Sequence, residues 1–245
     1  MLEQHQHPNL WKVLGEAKSS PSGGSHAFSF FFREALEERG MEAGDFSRAK
    51  TLLVNGVALR KQRRHYKVLE EASKRQDIRI IFRVDGPVSL YRQSGKDFEL
   101  DRQLFDDIHA YADGAVFQSR WSQRRYSDLG LEPGVESKVI RNGAPKLFRA
   151  QHVQPSEATT RVVASAWSPN CRKGFEVLHQ IGFLAEDPNF ELLFIGNLPY
   201  NLPGWKSFGP LEKRALAEEL RRSDVFISAS RFDSCSNSLI EAIYS

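Results

Sequence analysis

Short apolar segments alternate with longer amphipathic segments along almost the whole 245-residue chain, and this alternation limits the possible folds most strongly. Short apolar runs suit buried strands, whereas apolar residues spaced three and four apart suit helices. The strand candidates are residues 10–14, 51–57, 78–84, 114–118, 138–141, 161–167, 190–195 and 225–228. The helix candidates are residues 25–39, 59–74, 96–112, 119–129, 173–185, 212–222 and a terminal segment from 239. The pattern predicts an α/β fold in which helices cover both faces of parallel sheets.

A polar stretch without periodicity, residues 149–160, separates the two sets of strands and reads as an interdomain linker. We therefore expect an N-terminal domain over residues 1–150 and a C-terminal domain over residues 151–245. The second part offers only three strand candidates before the sequence stops at Ser245. Three strands are few for a free-standing doubly wound sheet, so we expect this domain to be incomplete.

Composition and charge narrow the class of protein. A hydrophobic content of 40% and a charged content of 27% are typical of globular domains. The net charge of +3 is too small to indicate a nucleic-acid partner. The apolar runs are far shorter than the roughly 18 residues that span a bilayer, and the N-terminus has no signal-peptide pattern. Two cysteines and no Cys/His cluster favour a reducing cytoplasm and no metal site.

An acidic residue and a glutamate with seven residues between them, Asp233 and Glu241, lie where a strand candidate gives way to a helix. Small polar residues between them let a backbone approach a ligand closely, and free N–H groups at a helix start bind phosphate. A glutamate one turn into the helix can accept hydrogen bonds from sugar hydroxyls. The pattern therefore predicts a nucleotide-sugar pocket.

The same residues have a structural interpretation. Ser238 and Glu241 have the spacing of a capping box, in which a hydroxyl and a carboxylate satisfy the first N–H groups of a helix. Asp233 is also a common turn residue. Spacing alone leaves both interpretations open.

The segment Ser-Asn-Ser-Leu-Ile-Glu-Ala that ends at Ala242 resembles the acidic-x7-Glu signature of retaining glycosyltransferases of family four. An Asp stands here at the usual place of the first Glu. The resemblance, which extends from Gly23 to Ala242, implies a GT-B fold with two Rossmann-like domains and a nucleoside-diphosphate-sugar donor. It implies that Glu241 binds ribose hydroxyls, that Asp233 contacts the sugar as the catalytic carboxylate, and that the amides around Asn237 and Ser238 hold the diphosphate. It also implies no metal and no cofactor beyond the donor.

Three further positions are candidates. Gly23 and Gly24 lie between the first strand and the first long helix. A Gly-Gly turn at this place is similar to one in the family. The alternative is a flexible loop. Lys173, at the opening of a helix, suits a cation that clamps a diphosphate, although it could be a solvated side chain. Asp85 ends a buried strand, where α/β folds place substrates, but Asp-Gly is also common in turns.

The chain departs from the family pattern around these positions. The family has an arginine a few residues before the lysine, whereas this chain has Trp167 and Ser168, so only Lys173, with Arg172, can be carried over. A basic run at residues 60–64 reads as a solvated face, with docking to an anionic membrane surface as the alternative.

The expected function is transfer of a sugar, with retention, from a nucleoside-diphosphate sugar to a glycan or lipid-linked acceptor. By family analogy we expect polysaccharide biosynthesis in the cytoplasm, with peripheral contact to the inner membrane. The alternative is a truncated, non-catalytic module that binds a nucleotide or a partner. A nucleotide-sugar epimerase would need carboxylate and histidine motifs that the sequence lacks.

Overall fold

The computed structural model describes residues 9–15, 24–56, 63–92, 95–149 and 159–245. Packing divides the chain into two compact units, one of Met1–Lys18 with Ser25–Arg141 and one of Ser19–Gly24 with Asn142–Ser245. The expected boundary at Ala150 lies outside the described residues and stays a prediction.

Five parallel strands form the sheet of the first unit: β1 Trp11–Leu14, β2 Thr51–Asn55, β3 Arg79–Val84, β4 Gly114–Phe117 and β5 Ser137–Val139. They lie side by side in the order in which they occur in the chain. An isolated parallel bridge joins Trp11 to Glu42, and because β2 occupies one side of β1, Glu42 lies on the other side. The chain therefore runs outward from β1 to Glu42 and then returns past β1 to form β2.

Helices cover both faces of this sheet. Their bounds are α1 Gly24–Glu37, α2 Arg63–Ser73, α3 Val88–Tyr91, α4 Asp97–Tyr111 and α5 Arg120–Asp128, and a 3₁₀ turn spans Phe46–Arg48. Alternate strand residues such as Val54 and Phe82 enter the hydrophobic core shared with α2 and α4. On the opposite face, the Asn55 amide donates to the Ser29 hydroxyl of α1 over 3.0 Å. Side chains that alternate between two covered faces are what a buried parallel sheet requires.

The second unit has a four-stranded parallel sheet in the order β8-β7-β6-β9. The strands are β6 Thr160–Ala166, β7 Phe190–Gly196, β8 Trp205–Ser207 and β9 Val225–Ile227. The helices are α6 Phe175–Gln180, α7 Lys213–Arg221 and α8 Asn237–Tyr244. Three 3₁₀ turns span Lys146–Phe148, Cys171–Lys173 and Ile181–Glu186.

Two separate hydrophobic clusters show that this sheet is also covered on both faces. Val162 and Phe194 pack with Phe175 of α6, whereas their sequence neighbours Val163 and Leu193 pack in the cluster of α7. The predicted α/β class with two parallel sheets is thus confirmed. Within the described ranges, no helix combines the length and apolar composition needed to cross a membrane.

Strand β8 is a correction to the sequence prediction, which gave three strands in this part of the chain. Only Trp205 of its three residues is buried, and its indole N–H donates to the carbonyl of Leu178 over 2.8 Å. Lys206 and Ser207 are exposed because the strand lies at the sheet edge. A three-residue edge strand has no apolar run, so periodicity could not reveal it.

Candidate functional site

The strand order of the second sheet reverses between β6 and β9. From β6 the chain adds β7 and β8 on one side, and it then returns to place β9 on the other side. At such a reversal, the loops after the two adjoining strands lead away in opposite directions and leave a crevice outside the carboxyl ends of the strands. We call these the β6 loop, residues 167–174, and the β9 loop, residues 228–236. Lys173 lies on the first loop and Asp233 on the second.

Gly174 brings the two loops into direct backbone contact. Its φ of 76° lies in the left-handed region, where a side chain is disfavoured. A Cβ at this position would also collide with the carbonyl oxygen of Ala229 in the β9 loop. Both the conformation and the close approach therefore require glycine here.

Polar and aromatic contacts add to this packing. The amide of Arg231 donates to the carbonyl of Arg172 over 3.0 Å. The guanidinium of Arg172 lies 5.0 Å from the centre of the Phe232 ring, a cation–π geometry. The Arg231 side chain reaches back to Glu176 of α6, with 2.6 Å between nitrogen and oxygen. The two loops thus form one packed edge of the crevice.

Lys173 and Asp233, both predicted as site residues, are brought together at this edge. The Lys173 ammonium nitrogen lies 2.9 Å from a carboxylate oxygen of Asp233. The other carboxylate oxygen accepts the amide of Cys235 over 3.3 Å. The two side chains are 27% and 23% exposed, so the pair is held in place and still accessible. An ammonium group has three donors, which leaves capacity for a ligand anion beside Asp233.

Helix α8 begins in a different way from the capping-box alternative. Its N-cap is Ser236, whose hydroxyl accepts the amide of Leu239 over 3.3 Å. Leu239 stands where a capping box needs Glu or Gln, so the capping interpretation of Ser238 with Glu241 is wrong. The first two helical N–H groups belong to Asn237 and Ser238, the two residues that the sequence analysis assigned to the diphosphate.

The Glu241 carboxylate is buried and contacts Lys213 of α7. Its side chain is only 7% exposed, and the Lys213 ammonium donates a hydrogen bond to it. Burial raises the pKa of Glu241, because the charged form loses its hydration, and the Lys213 charge opposes this rise. Lys213 also lies over the ring of Phe148, at 5.6 Å from the ring centre. Sequence analysis missed Lys213, since nothing local marks a residue that lies 28 positions before its partner.

The Asn237 side chain is fixed by a neighbour from the other end of this unit. Its carbonyl oxygen accepts the side-chain amide of Asn142 over 2.8 Å. This bond joins the start of α8 to the segment that precedes the 3₁₀ turn at Lys146. The start of α8 is therefore held both by its own cap and by a residue distant in sequence.

Asp85 of the first unit follows β3 and takes part in a closed polar network. Its carboxylate lies 2.6 Å from the Arg83 guanidinium and accepts the side-chain amide of Gln118. Its backbone carbonyl accepts the Ser122 hydroxyl over 3.0 Å. These bonds join the ends of β3 and β4 through one carboxylate. The structure does not assign it a substrate.

The predicted glycine turn is only partly visible. Gly23 lies outside the described residues, and Gly24 is the first residue of α1.

The short helix α3 also begins near the carboxyl edge of the first sheet. Its start is occupied by Asp101, a fully buried carboxylate that accepts the amides of Val88 and Ser89 at 2.8 and 2.9 Å.

No protein-family model and no curated protein matches this sequence. Solved structures, in contrast, share its fold. HepE from Anabaena in complex with UDP and glucose superposes with a TM-score of 0.63 at 14% identity, over 97% of this chain and 78% of HepE. Sucrose-phosphate synthase from Thermosynechococcus elongatus gives 0.56 at 14% identity, over 96% of this chain and 69% of the synthase. TarM from S. aureus in complex with UDP gives 0.52 at 10% identity, over 80% and 39% of the two chains.

These likenesses, at such low identity, concern the fold. Together with the two parallel sheets, they establish the GT-B architecture that the sequence predicted. The chain spans about two thirds to three quarters of sucrose-phosphate synthase and HepE, and less than half of TarM.

Proposed function

We propose that this chain is a glycosyltransferase that uses a nucleoside-diphosphate sugar as donor and has its donor site at the β6–β9 crevice. The observation that carries the proposal is the meeting of Lys173 and Asp233 beside the start of α8, where the strand order reverses. Crevices at such reversals are the usual ligand sites of open α/β sheets. HepE, whose fold resembles that of this chain, has been solved with UDP and glucose and with UDP-glucose, and this supports the choice of donor.

In this proposal, the donor diphosphate lies between Lys173 and the N–H groups of Asn237 and Ser238. Negative charge develops on the diphosphate as its bond to the anomeric carbon breaks. An ammonium group and the positive end of a helix both stabilise that charge, and they are in place before the reaction begins. The nucleotide requires no metal in this arrangement, and no cofactor beyond the donor.

Glu241 would accept hydrogen bonds from the ribose hydroxyls. Burial alone would favour the neutral form of the Glu241 carboxyl group, which is a poorer hydrogen-bond acceptor. The positive charge of Lys213 favours the ionised form. Asp233 would contact the transferred sugar, and Lys173 would hold the Asp233 carboxylate in position.

The remaining parts of the proposal follow the family-four resemblance. They are transfer with retention of configuration, a glycan or lipid-linked acceptor, and polysaccharide biosynthesis in the cytoplasm beside the inner membrane. Gly23 and Gly24 would approach the donor, and Asp85 would bind the acceptor substrate in the first unit.

Isothermal titration calorimetry with UDP, GDP and ADP, each compared with its nucleoside, tests the donor site. Lys173→Met should weaken diphosphate binding by about 10- to 100-fold, the loss of one or two charged hydrogen bonds, and leave nucleoside binding nearly unchanged. Lys206→Met is the matched control, because Lys206 is an exposed lysine of the same unit on the edge strand β8. An equal loss for nucleoside and diphosphate would exclude the clamp.

Glu241→Gln tests the ribose contact in the same experiment. It should weaken binding of the ribonucleotide by about tenfold and have a much smaller effect on the 2′,3′-dideoxy nucleotide, which lacks the hydroxyl donors. Donor hydrolysis and sugar transfer to a lipid extract, followed by mass spectrometry, then test turnover. Tight binding without either reaction would indicate a nucleotide-binding protein without transferase activity.

A further inference from the structure

A basic cavity lies between α7 and the 3₁₀ turn at Lys146–Phe148, within the second unit. Its volume is about 400 Å³, and the residues that line it are Lys146, Leu147, Arg149, Arg214, Ala217, Glu218 and Arg221. On α7, the lining residues from Arg214 to Arg221 are spaced three, four and seven positions apart, which places them along one helix face. Lys213, which contacts Glu241, does not line it.

The cavity walls are structurally anchored. Phe148 is fully buried among core residues of α7 and the sheet, and it holds the turn that carries Lys146 and Arg149. Leu216 and Leu220 fix the opposite wall by burying the core-facing side of α7. Packed elements keep their side chains in a more constant position than a loop would.

The charge of the lining is unbalanced. Four cationic side chains face one carboxylate, that of Glu218. Among the described residues, Arg149 and Arg214 have no ion-pair partner. Like charges that converge on one cavity repel each other, so an anion that binds there relieves an existing cost.

Arg221 belongs to the lining of the cavity and also links its two walls. One of its terminal nitrogens donates to the carbonyl of Leu147, which joins the two walls. Its Nε, however, is buried and has no hydrogen-bond partner among the described residues. A fully buried atom is out of reach of a ligand in the cavity, so Arg221 contributes through its terminal nitrogens and through the bond that joins the two walls.

We propose that this cavity binds a small phosphorylated molecule with at least two negative charges, such as a diphosphate or a sugar phosphate. Guanidinium groups match phosphate oxygens in pairs, and three of the four cations are arginines. The volume is in the range of small-molecule sites, and the cations stand on two facing walls instead of one flat surface. A concave arrangement of this kind favours a small solute over a flat membrane surface. The site is separate from the Lys173 donor site and does not depend on the proposed transferase activity.

The test is calorimetric titration of inorganic pyrophosphate into the Lys173→Met variant, which removes the donor-site cation. The double variant Arg149→Gln/Arg214→Gln should lower pyrophosphate affinity by at least about tenfold. Both side chains are exposed, so the fold should be retained, and a thermal melt checks this. Arg222→Gln is the matched control, because Arg222 directly follows α7, is 61% exposed and does not line the cavity.

The outcomes separate the proposal from its alternatives. Loss of binding in the double variant, with binding retained in Arg222→Gln, supports the site. Equal loss in both variants would mean only diffuse attraction to a basic protein and would overturn it. Binding to phosphatidylglycerol vesicles but not to pyrophosphate would also overturn it and would indicate a lipid surface as the source of the phosphate. Unchanged pyrophosphate affinity in the double variant would place the anion elsewhere.

Discussion

The two units each carry an ion pair at the carboxyl edge of a parallel sheet, and the two pairs differ in what surrounds them. In the first unit, Arg83 and Asp85 are 4% and 20% exposed, and Arg83 also lies 3.9 Å from the ring centre of Phe28. In the second unit, Lys173 and Asp233 are 27% and 23% exposed and lie on two loops that leave a crevice. The cation is thus nearly sealed in one pair and accessible in the other.

The difference separates two uses of the same chemistry. The Asp85 carboxylate accepts the bonds from Arg83 and Gln118 through one of its oxygens, and these bonds make it a link between strand ends. Lys173 makes one ion pair and can donate further bonds to a phosphate. If the comparison is right, variants of the first pair should lower stability, and variants of the second pair should lower nucleotide affinity.

The largest expected effect concerns the packing of the two loops in the second unit. Gly174→Ala combines left-handed strain with a collision against the Ala229 carbonyl, and we expect a loss of about 4 kcal/mol in the free energy of unfolding. Gly130→Ala is the control, because Gly130 has a similar φ of 73° but open space around it, and should cost only about 1 kcal/mol. Urea unfolding followed by circular dichroism measures both. Similar losses would show that backbone strain, and not loop contact, dominates.

The next effect concerns the buried carboxylate of the second unit. Lys213→Met removes the cation beside Glu241, and at pH 7 it should destabilise the protein by about 2–3 kcal/mol. Because the folded-state pKa of Glu241 is already raised by burial, removal of Lys213 should raise it further. An acid with a raised folded-state pKa loses stability as pH rises through the interval from its unfolded to its folded pKa. The deficit should therefore shrink as the pH falls towards the unfolded value.

Denaturation at several pH values tests this sign, with the double variant Lys213→Met/Glu241→Gln as control. The double variant should recover much of the stability and show a flatter pH profile than Lys213→Met. A deficit that grows at low pH would contradict the assignment.

A smaller effect distinguishes the two ion pairs directly. Asp85→Asn keeps the shape of the side chain but leaves the nearly buried Arg83 without its counter-charge, at a cost of about 1–2 kcal/mol in stability. It should leave UDP affinity unchanged. Lys173→Met should lower UDP affinity and leave stability nearly unchanged, because a partly exposed ion pair contributes only about 0–1 kcal/mol to stability. A lower UDP affinity in Asp85→Asn, with stability intact, would break the comparison.

The smallest expected effect is that of the cation–π contact within the crevice edge. Arg172→Gln and Phe232→Leu, alone and together, form a double-mutant cycle whose coupling energy should be about 0.5–1 kcal/mol. Thermal or urea unfolding of the four proteins gives the coupling. A value near zero would mean that the backbone bond between Arg231 and Arg172 holds the loops without help from the side chains.

Much of this fold could be predicted because apolar periodicity is a local property. Strands such as β3 and β7, which are buried on both faces, have the continuous apolar runs that the sequence analysis identified. Strand β8 was not predicted, since one buried tryptophan at a sheet edge leaves no pattern. The terminal helix was predicted from residue 239, but α8 begins at Asn237 with Ser236 as its N-cap. The position of the cap depends on which hydroxyl accepts the amide of Leu239, and the sequence does not reveal this.

The candidate site was predictable only where its residues are close in sequence. The spacing of Asp233 and Glu241 was visible, but the partners of both residues were not. Lys173 lies 60 residues before Asp233, and Lys213 lies 28 residues before Glu241, so only the folded chain brings them together. The basic cavity was missed for the same reason, since Arg149 and Arg214 come from segments far apart in the chain.

The contact at Gly174 has a consequence for reshaping the proposed donor site by mutagenesis. Because the backbones of the β6 and β9 loops are in direct contact, the conformation of each loop depends on that of the other. A change confined to one loop would therefore disturb both. Libraries that randomise one loop at a time should yield mostly unfolded clones. Libraries that vary residues 167–173 and 230–235 together, and leave glycine at 174, should retain the fold and sample new crevice shapes.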